Sequence, residues 1–362
     1  MTQAPPSPTT TEDAYRTAGV DIAVGNAFVR AIGPAVARTA RPGVVGEIGG
    51  FGGLFDLAAA GLHEPLLVAA TDGVGTKLLL AEAVGSHRGL GVDLVAMSVN
   101  DVAVQGAQPL FFLDYFATGK LEPEVAAAVV EGVADACVDA GCALLGGETA
   151  EMPGVYPPGR FDLAGFCVGA VERSRLLPRR ERVAIGDAVI AVASSGLHSN
   201  GFSLVRRIID ATGADLHAPA PFAAEGTLGA VLLSPTRLYV ASALTLADAG
   251  AVALAHVTGG GLLENLPRVM PPDTIAVIDL DSYELPPLFA WLANTGRLGR
   301  QDLARTFNCG IGLLAIVPEN AVGEAVARLA ASGETVWRCG QVERGRGPAT
   351  VRLDGGTTWP RV

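Results

Sequence analysis

Two lysines are the residues most suggestive of chemistry, because all the other Lys and Arg positions in the chain are arginine. Only two of the 26 Lys and Arg residues are lysines, Lys77 and Lys120, and both follow a short turn of Gly and Thr residues. An ammonium group is a compact point charge, whereas guanidinium is a flat fork, so the two are not interchangeable at a tight phosphate contact. We therefore predict that both lysines contact phosphate; the alternative is that they are leftover lysines without a role.

The turn that ends at Lys77 is predicted to cradle an anion, together with a glycine-rich segment at 46–53. The turn TDGVGTK (71–77) leaves a predicted strand at 65–71, and the carboxylate of Asp72 at that strand end needs a partner to offset its desolvation. The spacing is not that of a Walker A loop, and no strand leads into 46–53, so a tight hairpin and a flexible surface loop are the alternatives. The predicted nucleotide, phosphate and metal ligands here are Gly49, Gly50, Gly52, Gly53, Asp72, Gly73, Thr76 and Lys77.

A predicted helix at 91–106 carries short oxygen-bearing side chains where a solvated face normally carries Lys, Glu and Arg. Its apolar face is Val92, Val95, Val99, Val102 and Ala103, and its other face holds Asp93, Ser98, Asn100, Asp101 and Gln105. Short carboxylates are ligands that Mg²⁺ uses, with water and phosphate filling its remaining positions. We predict Asp101 as a metal ligand and Asn100 as a nucleotide contact, while Asp93 is equally consistent with a capped or water-bridged internal position.

Three further turns carry candidate site residues. Glu148, in GGETAEM (146–152), follows a short predicted strand and is the predicted third metal carboxylate beside Asp72 and Asp101. His198, in SSGLHSNG (194–201), stands at a predicted helix start and is the predicted catalytic proton-transfer group, with Lys77 as its catalytic companion. His256 precedes a triple glycine and is predicted to satisfy buried hydrogen bonds. The predicted substrate contacts are Ser195, Gly196, Asn200, Thr258, Gly259 and Gly260.

Composition limits the classes of partner and compartment. The formal charge of −11 and the lack of a basic run argue against a nucleic-acid partner, although local cations and a metal can still hold phosphate. The five cysteines are odd in number and form no C-x-x-C pair, so buried thiols are expected. Residues 1–14 are expected to be a disordered tail. No apolar run predicts a membrane span or a signal peptide, so we expect a soluble, cytoplasmic protein with no membrane partner.

Alternating strand and helix patterns predict an α/β (α+β) chain of two domains, 15–172 and 173–362, that meet at the Arg-rich segment 173–182. The predicted helices are 22–39, 91–106, 122–140, 200–211 and 236–249. The predicted strands are 65–71, 109–117, 142–145, 163–171, 187–193, 251–257, 274–280, 311–317 and 335–342. The segment 217–229 carries no predicted role.

Taken together and in order, six motifs closely resemble the phosphoribosylformylglycinamidine cyclo-ligase (aminoimidazole ribonucleotide synthetase) family. The resemblance covers about 15–342 and rests on TDGVGTK (71–77), LVAMSVNDVAVQGAQPLFFLDYFATGK (94–120), GETAEMPGVY (147–156), SSGLHSNGFSLVR (194–206), HVTGGGLLENLPRV (256–269) and RTFNCGIG (305–312). It implies that ATP and formylglycinamidine ribonucleotide give ADP, phosphate and aminoimidazole ribonucleotide in purine biosynthesis, through an iminophosphate and with Mg²⁺.

The resemblance also implies a homodimer whose N-terminal strands form one barrel. One departure is Gly33, where relatives commonly have a lysine, so Arg30 or Arg38 would have to supply that charge. The rivals are siblings with the same ATP-binding architecture, namely selenophosphate synthetase, formylglycinamidine ribonucleotide synthase and thiamine-monophosphate kinase. A selenophosphate synthetase would require a reactive cysteine near the N-terminus, whereas the first cysteine here is Cys137. A rival of another class is a silent nucleotide-binding scaffold.

Overall fold

The described part of the protein, in a computed structural model, comprises residues 22–46, 52–357 and 359–360. The predicted disordered tail at 1–14 and the predicted ligands Gly49 and Gly50 lie outside these ranges. Two mixed sheets organise the described chain, and no strand is shared between them. The last strand of the first sheet ends at Glu172 and the first strand of the second begins at Ala188.

The first sheet has four strands in the order β3-β6-β4-β5, with β4 and β5 parallel and the other pairs antiparallel. Helices α3 and α4 cover one face of it. They approach closely because both carry glycine at the crossing: a methyl group on Gly91 would lie 2.1 Å from Val129 O, and one on Gly132 would lie 2.0 Å from Arg88 O. The elements are α1 (Ile22–Ala37), β1 (Val44–Val45), β2 (Leu54–Phe55), β3 (Pro65–Gly73), α2 (Lys77–Val84), α3 (Arg88–Ala103), β4 (Gln108–Thr118), α4 (Pro123–Ala140), β5 (Ala143–Glu151) and β6 (Phe161–Glu172).

The opposite face of this sheet carries apolar side chains that nothing in the described chain covers fully. Leu67 on β3 is 60% exposed, Phe166 on β6 is 40% exposed and Tyr115 on β4 is 38% exposed. Alternate residues of a strand point to opposite faces, so these three belong to the face away from the buried Phe112 and Cys167. Contiguous exposed apolar side chains of this kind mark surfaces that bind another molecule.

The second sheet has six strands in the order β12-β9-β11-β7-β10-β8, and only the β12–β9 pair is parallel. Its central strands β7 and β10 are almost wholly buried, which explains their continuous runs of Ala, Val, Ile and Leu. The elements are β7 (Ala188–Ala193), α5 (Phe202–Thr212), α6 (Leu228–Leu232), α7 (Val240–Asp248), β8 (Ala253–His256), α8 (Gly261–Glu264), β9 (Thr274–Asp279), α9 (Pro287–Gly296), α10 (Arg300–Thr306), β10 (Ile311–Val317), α11 (Val322–Ala331), β11 (Val336–Arg344) and β12 (Thr350–Asp354).

The predicted α/β fold class is confirmed, and so is each predicted helix and strand, with shifted ends. The prediction missed the helices α2, α6, α9, α10 and α11 and the strands β1, β2 and β12 altogether. β3 continues through Asp72 to Gly73, so the predicted turn is confined to residues 74–76, and the predicted turn at 146–152 is mostly strand because β5 continues through Glu148 to Glu151. Asp72 therefore lies near the end of an edge strand with exposed positions, rather than after a buried strand. No helix in the described chain is long and apolar enough to cross a membrane.

Candidate active site

Lys77 is the most completely enclosed charged residue of the candidate site. Its Nζ lies 2.7 Å from Asp93 Oδ2, and both side chains are 0% exposed. Nζ also donates to His198 O at 2.9 Å and to Ser234 O at 3.0 Å. Burial lowers the pKa of Lys77, while the charge of Asp93 and its hydrogen bond raise it. All three ammonium hydrogens are therefore used within the protein, and contact with a phosphate would require Lys77 to give up one of these bonds.

Two side chains on the polar face of α3, Asp93 and Asn100, connect this helix to the segment 236–239 in the second half of the chain. Asp93 Oδ1 accepts hydrogen bonds from Thr236 N and Thr236 Oγ1, both at 2.7 Å. Asn100 Oδ1 accepts from Tyr239 N at 2.7 Å, and Asn100 Nδ2 donates to Arg237 O at 2.9 Å. Of the two alternatives left open for Asp93, these contacts support the internal position, because Lys77 and Thr236 contact both of its carboxylate oxygens. The nucleotide contact predicted for Asn100 stays a prediction. The side-chain amide of Asn100 is hydrogen-bonded to the backbone of Arg237 and Tyr239.

Asp101 lies one residue farther along α3 and faces an open cleft. Its carboxylate is 46% exposed, and Oδ1 lies 2.9 Å from Nδ1 of the buried His256. His256 Nε2 lies 3.3 Å from Asn100 Nδ2, so the amide donates to Nε2 and the imidazole hydrogen is assigned to Nδ1, facing Asp101. The prediction that His256 satisfies buried hydrogen bonds is confirmed by these contacts. His256 also orients the carboxylate at the mouth of the cleft.

Asp101 lines this cleft, which has a volume of about 370 Å³, and Asp72 follows the lining residue Thr71 on β3. Partial burial raises the pKa of Asp72, the charge of Asp101 raises it further, and a hydrogen bond from Gly73 N opposes the rise. A divalent cation would relieve the repulsion between two such carboxylates, and hard oxygen ligands suit Mg²⁺. The residues present therefore fit a magnesium ion held by Asp72 and Asp101 together with water or phosphate oxygens.

Glu148 is not brought to this pair within one chain. It lies opposite Tyr115 on β5, whereas Asp72 shares a row with Gly165, Asp114 and Gly147 on the face that the helices cover. Three strand spacings separate β3 from β5, which is about 14 Å. The Glu148 side chain is exposed, and Oε1 accepts from Thr149 N. Among the described residues, no cluster of three or more His, Cys, Asp or Glu is arranged to hold a metal. The predicted three-carboxylate site is therefore not assembled in the single chain.

His198, the predicted proton-transfer group, is wholly buried in a strained turn. Its φ is +62°, and Nε2 accepts from Ser195 N at 3.3 Å. Nδ1, which then carries the hydrogen, makes no hydrogen bond with any described residue. Burial is the main cause that lowers the pKa of His198 well below its usual range, and the positive charges of Lys77 and Arg237 lower it further. The imidazole is therefore neutral at physiological pH.

Two buried asparagines that the sequence analysis missed hold the turns that carry the predicted substrate contacts. Asn265 Nδ2 donates to the carbonyls of Thr258, Gly259 and Gly261 at 3.3, 3.2 and 2.8 Å. Asn308 Nδ2 donates to Gly196 O at 2.8 Å. Their only sequence signal was an amide within an otherwise apolar stretch, LLENLP and TFNCG.

The two turns meet at one point. A methyl group on Gly259 would lie 3.6 Å from Asn200 Oδ1, so the Ser195–Asn200 and Thr258–Gly260 turns approach each other. Thr258 lines the cleft, Ser195 Oγ donates to Pro235 O, and Gly260 takes a φ of +93° that favours glycine.

The remaining predicted ligands lie apart from the cleft. Lys120 is exposed and lines a separate cavity of about 200 Å³ with Glu82 and Glu122. Gly53 packs on β5, since a methyl group there would lie 2.4 Å from the Leu145 side chain. Gly52 and Thr76 are exposed and Gly73 is partly exposed, and Thr76 Oγ1 lies 3.0 Å from Ser203 Oγ. Arg38 pairs with Asp135 on α4, so its guanidinium is already engaged and does not stand in freely for the charge missing at Gly33.

Comparison with known proteins covers both sheets. Residues 56–171 match the family described as AIR synthase related protein, N-terminal domain, and residues 184–352 match AIR synthase related protein, C-terminal domain.

Solved structures with the same fold include thiamine-monophosphate kinase from Stenotrophomonas maltophilia K279a, with 23% identity, a TM-score of 0.67, and coverage of 90% of this chain and 96% of that chain. The E. coli hydrogenase maturation protein HypE is 21% identical with a TM-score of 0.66, and the match covers 92% of this chain and 94% of the HypE chain. A HypE structure in complex with ATP is 19% identical with a TM-score of 0.63, and the match covers 90% of this chain and 91% of that chain. At these identities the structural likeness shows the fold, while the two sequence matches show that the chain belongs to the AIR synthase related superfamily.

Proposed function

We propose that this protein uses Mg·ATP to close the imidazole ring of aminoimidazole ribonucleotide from formylglycinamidine ribonucleotide. The observation that carries the proposal is the Asp72–Asp101 pair beside the cleft, in a chain of this superfamily whose motifs resemble the cyclo-ligases. A structural relative has been solved with ATP, which supports a nucleotide as the co-substrate. Bound Mg²⁺ would neutralise phosphate charge during phosphoryl transfer, and Asp72 and Asp101 are the residues that would hold it.

The chemistry proceeds in two steps. The γ-phosphoryl group of ATP passes to the formyl oxygen of the substrate, which turns a poor leaving group into a phosphate ester of an imidate. The amidine nitrogen then attacks the activated carbon, the carbon–oxygen bond breaks, and phosphate leaves as the ring closes. The attacking nitrogen must lose a proton. We propose that His198 manages that proton, because its imidazole is neutral and its Nδ1 makes no hydrogen bond with the described residues.

A homodimer through the four-stranded sheet is part of the proposal. Leu67, Phe166 and Tyr115 leave one face of that sheet apolar and exposed, which supports pairing with a second copy. Glu148 shares this face, through its pairing with Tyr115. A metal role for Glu148 is therefore proposed only for the assembled dimer.

A second candidate is phosphoryl transfer to a phosphorylated acceptor such as thiamine monophosphate. It is favoured by the fold likeness to thiamine-monophosphate kinases, one of which was solved with AMPPCP and TMP at 19% identity and a TM-score of 0.55. The two candidates share the nucleotide and the metal, and they differ in the acceptor.

The test is ADP release from Mg·ATP, measured alone, with formylglycinamidine ribonucleotide and with thiamine monophosphate. We expect release to require formylglycinamidine ribonucleotide. ADP release that requires thiamine monophosphate instead would favour the kinase activity. If neither acceptor caused ADP release, a silent nucleotide-binding scaffold would be favoured. In the same assay we expect His198→Ala to keep ATP binding and lose cyclisation, with exposed His217→Ala as the matched control. Near-normal turnover of His198→Ala would remove His198 from the mechanism.

A further inference from the structure

The cleft beside Asp101 contains one cation whose donors are all free. Its described lining includes Thr71, Asp101, His256, Thr258, Asn265 and Arg268. Asp101 is the only carboxylate among the lining residues and Arg268 the only guanidinium. The Arg268 side chain is exposed and forms no hydrogen bond or ion pair with any described residue, in contrast to most other arginines near the domain junction, such as Arg175, Arg180 and Arg237.

The other polar side chains of the lining each make at least one contact within the protein, including Gln105, whose Nε2 donates to Asp101 O at 3.3 Å. Thr71 Oγ1 donates to Gly165 O, and Thr258 Oγ1 donates to Asn265 Oδ1. Asn265 Nδ2 donates to three turn carbonyls, and the ring nitrogens of His256 contact Asp101 and Asn100. A ligand that enters the cleft therefore meets Arg268 as its main source of unused hydrogen-bond donors.

The backbone under Arg268 is held in place. Arg268 belongs to a single 3₁₀ turn, Leu266–Val269, whose first residue is fully buried. Arg180 donates to the carbonyl oxygen of Arg268 from the segment between the two sheets. The turn follows directly on the Thr258–Gly261 segment that Asn265 fixes. The guanidinium thus extends from a fixed backbone and lines the same cleft as Asp101.

We propose that Arg268 anchors the phosphate monoester of the acceptor substrate, with the metal-bound nucleotide at the Asp72–Asp101 end. A guanidinium binds phosphate through paired, charge-assisted hydrogen bonds, and a dianionic ester would find no other cation in the lining. This assignment rests on the proposed function for the identity of the acceptor. The recognised group itself, a sugar or alcohol phosphate, does not depend on which acceptor the enzyme converts.

The test uses ribose 5-phosphate as the probe, by calorimetry on the full-length protein without ATP, so that it does not depend on turnover. The expected result is binding by the unaltered protein that weakens about 10- to 100-fold in Arg268→Gln, since a hydrogen bond to a charged group is worth about 1.5–3 kcal/mol. Arg305→Gln is the matched control, because Arg305 pairs with Glu264 near the same turn but lies outside the cleft lining.

Equal affinity of Arg268→Gln and the unaltered protein for the probe would overturn the proposal, and so would a lack of binding by the unaltered protein. Loss of Mg·ATP binding in Arg268→Gln with unchanged ribose 5-phosphate binding would also overturn it, because the anion would then belong to the nucleotide. In turnover assays Arg268→Gln is expected to raise the KM for the acceptor and leave the KM for ATP unchanged. Absence of turnover with formylglycinamidine ribonucleotide, while the binding difference persists, would refute only the proposed function.

Discussion

Replacement of Lys77 by methionine tests whether this lysine stabilises the contact between the two sheets. The substitution keeps a linear side chain of similar length, and it removes the ion pair with Asp93 Oδ2 and the hydrogen bonds to His198 O and Ser234 O. Asp93 would remain buried with only the donors of Thr236. Removal of one member of a buried ion pair costs about 3–5 kcal/mol, because it leaves an uncompensated charge. We expect the free energy of unfolding of Lys77→Met to fall by that amount.

The assay is urea unfolding followed by tryptophan fluorescence and circular dichroism. All three tryptophans, Trp291, Trp337 and Trp359, lie in the half of the chain that contains the six-stranded sheet, so fluorescence reports on that half and circular dichroism on the whole. Lys120→Met is the matched control, since the only other lysine is exposed, and its effect should stay within about 0.5 kcal/mol.

A second substitution separates charge from packing. Asp93→Asn should restore part of the stability lost in Lys77→Met. The substitution removes the negative charge that Lys77 no longer compensates, and it keeps an oxygen that accepts hydrogen bonds from Thr236. Two results would refute the interpretation that Lys77 stabilises the protein through a buried ion pair with Asp93. One is a coupling energy near zero between the two substitutions, and the other is a fall of less than about 1 kcal/mol in the free energy of unfolding of Lys77→Met. Lys77→Met that unfolds normally but no longer binds Mg·ATP would instead support the phosphate contact.

Three further predictions concern single side chains. Burial raises the pKa of the Asp114 carboxyl to about 7, so the native state holds this proton more tightly and stability falls as pH rises from about 4 to 7. Asp114→Asn should therefore be more stable than the unaltered protein at pH 8, by at most roughly 4 kcal/mol, and not at pH 4, as urea midpoints at both pH values will report. Asn308→Ala removes the hydrogen bond to Gly196 O and the hydrogen bond from Gly310 N. We therefore expect the free energy of unfolding to fall by about 2 kcal/mol or more and the turnover to be lower. An unchanged melting temperature would contradict this prediction. Asp101→Asn should raise the Mg²⁺ concentration needed for half-maximal ATP binding about tenfold, and an unchanged Mg²⁺ titration would exclude Asp101 as a ligand.

Much of the fold was predictable because strand and helix periodicity is local. β10 was predicted at its observed bounds, and the errors elsewhere are mostly ends shifted by a few residues. The ends of the strands at Asp72–Gly73 and Gly146–Glu151 were missed because Gly-rich, polar sequences are unusual inside strands. Pairing of β3 with β6 and of β5 with β4 holds these residues extended. Local pattern does not carry that tertiary information.

The candidate site was predictable in its residue types and less so in its partners. The polar face of α3 was unusual, as predicted, but apart from Lys77 the partners of Asp93 and Asn100 lie 137–156 positions away in sequence, at Thr236, Arg237, Tyr239 and His256. A single sequence does not reveal whether a short carboxylate faces a metal or another segment of the chain. The same limit explains Asn265 and Asn308, whose function depends on carbonyl groups that only the folded turns present.

The most direct test of the central claim is the stoichiometry of ADP and the coloured aminoimidazole product, formed from Mg·ATP and formylglycinamidine ribonucleotide by the purified protein. The account predicts one aminoimidazole ribonucleotide for each ADP, and neither without the other. ADP formed without the aminoimidazole product, or no ADP at all with this substrate, would contradict it.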